Sequence, residues 1–156
     1  MAKKTLDDDI KQQALWIVRG YKASLRRYMA ARQDVILATP CSFDEYAAGG
    51  ETCRQYYPHS SEVGRPVENM QQALERLERS PDARRVAAVD KAKLLIGNDL
   101  QDDELRRKLT NAILLNCESG RNYPFEILGV DGLSRRDFYR RRNRFLQDVA
   151  EKFGII

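Results

Sequence analysis

The stretch from Ser134 to Phe153 leaves a chain of this kind little choice of conformation. Turned at about 100° per residue, Phe138, Phe145, Leu146, Val149, Ala150 and Phe153 gather on one side. Arg136, Arg140 and Arg144 recur every four residues on the other, joined by Asn143 and Gln147. This pattern predicts a helix with one face buried and one face wet. Its start is marked by Ser134 with Asp137 three residues on, a relative of the capping box. Leu133 and Phe138 flank that cap as a hydrophobic staple, and Gly154 ends the pattern.

The same stretch holds the charge. Ser134–Arg144 has six arginines and one acid, Asp137, and so carries +5. The whole chain carries +4, so all other residues together sum to −1. Basic character confined to one short helix is the electrostatic footprint of a nucleic-acid reader. The plainer alternative is a solvated face on an ordinary terminal helix. Such faces normally mix Glu with Lys. Here acids are nearly absent and the cation is always Arg, the residue suited to bidentate contacts with phosphate and guanine.

Elsewhere, 156 residues with 42% apolar and 32% charged side chains suit one domain or two small helical lobes. No apolar run approaches the roughly 18 residues of a membrane span, and the N-terminal residues lack a signal-peptide core. A cytoplasmic protein without a membrane partner is expected. Cys41, Cys53 and Cys117 are odd in number and irregular in spacing, which argues against a disulfide framework. A zinc site from these and His59 would lack a Cys-x-x-Cys chelate. Free thiols and no cofactor are expected.

Taken in order, Leu6 to about Ala38 reads as one long helix. Ala14, Val18, Tyr21, Leu25, Tyr28 and Val35 form a seam in steps of four and three, widened by Ile10, Ile17, Met29 and Ile36. That seam fits either a helix packed along its own domain or a dimer contact. Thr39-Pro40 stops the helix. Residues 39–66 form an irregular crossover, aromatic through Tyr46, Tyr56 and Tyr57. It reads either as a loop lying on the core or as a partner-binding arm. Pro66 opens a helix buried through Val67, Met70, Leu74 and Leu77. Pro81-Asp82 starts another, carrying Val86, Val89 and Leu94. Asp102–Glu118 follows, with Leu105, Leu109, Ala112, Ile113 and Leu115 as its apolar set. Strand signals are weak throughout, so the chain reads as all-α. The sequence divides into a helical N-terminal region, 1–98, and a C-terminal region, 99–156.

Within 99–156, Pro124 to Leu128 has room for about a turn and a half of helix. Gly129-Val130-Asp131-Gly132 is a turn, and the arginine helix comes next. A short helix, a glycine-containing turn and a capped basic helix make the helix-turn-helix plan, with Leu133 as the plug beneath the turn. Glu126-Ile127 followed by Gly132-Leu133-Ser134 resembles region 4 of bacterial sigma factors. Leu128 stands where alanine is usual and Asp131 where an apolar residue is usual, so an irregular first helix is expected. The run from Leu133 to Gly154 resembles, more narrowly, the C-terminus of phage transcriptional regulators of the RinA/ArpU type. That resemblance implies a non-enzymatic activator or regulator of phage late genes that binds double-stranded DNA. RNA polymerase and a second copy of the chain are the candidate protein partners. Arg136, Arg140, Asn143 and Arg144 match the positions that meet DNA in that family. Arg135 and Tyr139, beside them, complete the candidate site.

Two other classes compete. A phage packaging component, such as a small terminase-like subunit, would also carry a helix-turn-helix, but usually ahead of its oligomerisation helices. An enzyme finds little support in one His, no phosphate-cradling glycine loop and no metal motif.

Overall fold

The structure is a computed structural model that describes residues 7–38 and 66–156. Every regular element among them is helical. α1 is Asp8–Leu37, α2 Pro66–Glu78, α3 Pro81–Leu95, α4 Asp103–Glu118 and α5 Arg135–Phe153, with a single 3₁₀ turn at Phe125–Ile127. The all-α fold read from the sequence is the fold observed. The aromatic crossover, Cys41, Cys53 and His59 lie outside the described residues.

The chain forms two compact units. One joins its start, as far as Ser24, to Arg84–Ile156; the other lies within Leu25–Ala83. The first unit is therefore wider than the 99–156 region, since it recruits the beginning of α1 and most of α3. Its core is continuous. Ala14, Ile17 and Val18 of α1 meet Val89, Ala92 and Ile96 of α3, Leu109 and Ile113 of α4, and the apolar face of α5. Small residues fill the α3 face at Ala88 and Ala92, while Leu94, expected to be buried, is exposed. It lies about 140° around the helix from Val89.

In the second unit, Leu25, Tyr28 and Val35 of α1 and Met70, Leu74 and Leu77 of α2 are half-buried. Arg27 holds Asp82 through two hydrogen bonds, at 3.0 and 2.8 Å. Met29, Ile36 and Val67, which the periodicity assigned to buried faces, are exposed. The seam of α1 is thus tightest at Ala14, Ile17 and Val18 and loosens beyond Ser24.

Candidate nucleic-acid interface

α5 begins where the sequence places it. Ser134 is its N-cap, and the Ser134 hydroxyl accepts from the Asp137 backbone N–H at 3.1 Å. Phe138, Phe145, Leu146, Val149 and Ala150 are buried, and Leu133 packs half-buried against the same core. Phe138 lies 5.4 Å from the Phe125 ring, centroid to centroid, which ties the 3₁₀ turn to the helix. With one face locked in this way, the opposite face is fixed towards solvent.

The segment before the turn is shorter than the helix expected at Pro124–Leu128. Only Phe125–Ile127 is helical, as one 3₁₀ turn closed by Ile127 N–H to Pro124 O and Leu128 N–H to Phe125 O. Three features confine it. Buried Asn116 donates to Tyr123 O at 2.8 Å, Pro124 is extended, and Gly129 takes φ +62°. That φ, with +93° at Gly132, suits glycine and turns the chain into α5. α4 is the full-length helix packed against α5.

The six arginines separate into three kinds. Arg141 is structural. Its terminal nitrogens donate to Asp99 at 2.7 and 2.6 Å, and its Nε donates to Asp137 at 2.9 Å. These bonds hold the Asp99 carboxyl down to about 2 and the Asp137 carboxyl below its usual range, and raise the guanidinium's own pKa. Arg142 is half-buried, its Nε is enclosed with no hydrogen-bond partner among the described residues, and its charge acts on the buried Cys117 thiol. Neither guanidinium faces outward as a free hook.

Arg135 and Arg140 are exposed but already hold acids. Arg135 pairs with Glu126 at 2.9 Å and lies over the Tyr139 ring, 5.9 Å from its centroid. Arg140 pairs with Asp137. Arg136 and Arg144 are exposed with no ion pair among the described residues. From Arg136 to Arg144 is eight residues, a rise of about 12 Å, comparable to the width of a major groove. Asn143 is half-buried, and so is Tyr139, set edge-on against Phe138. Of the six candidate DNA-facing residues, the four arginines are exposed and these two are partly covered.

Sequence reasoning missed Asp99 and Glu126, the acids that engage Arg141 and Arg135. Asp137 at three and four residues from Arg140 and Arg141 was a readable signal. Nothing local pairs Asp99 with a residue so distant in sequence. A groove of about 470 Å³ runs between the Gly97–Asp99 loop and Arg140, Arg144 and Asp148. Among the described residues no group of three His, Cys, Asp or Glu side chains could hold a metal ion. No helix among them is long and apolar enough to cross a membrane. Comparisons with protein-family models, curated proteins and solved structures gave no match.

Proposed function

We propose that this chain is a sequence-specific DNA-binding regulator of transcription that reads the major groove with α5. One observation carries the reading: Arg136, Arg140 and Arg144 form an exposed line along a helix whose other face is anchored in the core. Such a line offers the guanidinium forks of Arg136 and Arg144 to guanine edges and phosphates from a rigid support, with Arg140, held by Asp137, between them. Regulation of phage late genes, with RNA polymerase as a protein partner, rests on the resemblance of residues 133–154 alone. The reading assigns no enzymatic step and no cofactor.

The experiment is selection of bound duplexes from a random library, followed by titration of the recovered duplex and a scrambled one. A regulator prefers the recovered sequence at near-physiological salt. Equal affinity for both would favour the packaging reading, in which repeated phosphate contacts are indifferent to sequence.

A further inference from the structure

The entrance to α5 is an anion-favouring place, since the first-turn N–H groups and the helix dipole point there. Two carboxylates of the chain pair with arginines of its first half. Asp137 lies in the first turn, where it takes Arg140 and Arg141. Glu126, in the 3₁₀ turn, takes Arg135 at 2.9 Å. Both members of the Glu126–Arg135 pair are exposed, so the pair is not needed to neutralise a buried charge. Its effect is to fill a guanidinium that would otherwise take a phosphate.

We infer that Glu126 is an internal phosphate mimic that masks Arg135 and suppresses binding to DNA of the wrong sequence. The inference rests on the DNA-binding reading above. On a non-cognate duplex α5 is not drawn fully into the groove, and Arg135 stays with Glu126, neutralising no phosphate. On the cognate duplex, base contacts from Arg136 and Arg144 bring the backbone close enough for phosphate to displace Glu126. The carboxylate then acts by penalising wrong partners more than the right one. Asp137 sits in a similar place but also fixes Arg141, so Glu126 is the side chain that can be altered cleanly.

The test is Glu126→Gln, titrated across salt against the selected duplex and a scrambled duplex of the same composition. Arg135 should now neutralise one more phosphate on scrambled DNA. The slope of log affinity against log salt should steepen there by roughly 0.9, and stay near the parent value on the selected duplex. Affinity for the scrambled duplex should rise about two- to fivefold, the range of a lost exposed ion pair. The ratio between the two duplexes should fall. Asp131→Asn is the comparison, because it removes one negative charge from the neighbouring turn, and Asp131 has no ion pair among the described residues. An unchanged slope on scrambled DNA in Glu126→Gln overturns the masking role. So does an equal change in Asp131→Asn, which would reduce the effect to net charge. If the parent itself retains no duplex, the DNA-binding reading fails first and the mask falls with it.

Discussion

Arg141 and Asp99 lie 42 positions apart, yet their side chains meet through two hydrogen bonds at 2.7 and 2.6 Å. The contact pins the loop between α3 and α4 to the first half of α5. It also fills the planar fork of Arg141, which is why that guanidinium belongs to the fold and not to the exposed arginine line.

Arginine replacements should therefore divide cleanly. Arg136→Ala and Arg144→Ala should weaken DNA binding by roughly 1–3 kcal/mol each where the contact is to a base, with thermal stability within about 0.5 kcal/mol of the parent. Arg141→Ala should lower stability by about 1–2 kcal/mol, since charged hydrogen bonds are lost. Paired melting and anisotropy titrations would check the division. An Arg136→Ala variant that melts early while binding normally would invert it.

The core face of α5 predicts the larger folding effects. Phe138 and Phe145 are 0% and 1% exposed. Truncating either to Ala should cost about 3–5 kcal/mol, from lost transfer energy and the remaining cavity. Urea unfolding followed by circular dichroism measures this directly.

Acid should expose the carboxylate pairs. Asp99 titrates at about 2 in the folded chain and Asp137 below its usual range, both chiefly through hydrogen bonds from Arg141. The unfolded values lie near 4. Because folding lowers these pKa values, the stability they contribute is complete above about pH 4 and is lost as pH falls towards about 2. Melting temperatures taken down this range should drop, and Asp99→Asn should flatten the drop. An identical acid profile in that variant would show that the Asp99 pair contributes nothing.

Cys117 should be chemically silent. It is fully enclosed, and burial pushes its thiol up to about 11, so little thiolate forms near neutrality. In a Cys41→Ser, Cys53→Ser background, a thiol reagent should label the chain only after denaturant is added. Rapid labelling of the native protein would contradict the enclosure.

Helices with strong local punctuation were legible from the residues themselves. Ser134, Pro66, Pro81 and Asp102 mark their starts, and the apolar period of α5 matches its buried face residue for residue as far as Ala150. Faces were less legible where packing is shared among several neighbours. Leu94 and Val67 are apolar but outward, whereas Ser24 and Asn116 are polar but buried. The arginine line was visible as periodicity, and its exposure followed from the opposite face. Which arginines hold acids was not visible, because Asp99 reaches Arg141 only through the fold. The helix before the turn is shorter than its spacing predicts, since Asn116 fixes Tyr123 O from α4, seven residues earlier in the chain.

Trp16 is the chain's one tryptophan, and it stands 78% exposed on α1. Its indole is already hydrated in the native state, so unfolding changes its surroundings little. Intrinsic emission excited at this residue is therefore a quiet witness to denaturation. It becomes an informative one when anything settles on that side of α1, because the first layer of water the indole loses is lost to the newcomer. A blue shift on mixing, in a chain that shows almost none on refolding, would locate the contact without any label.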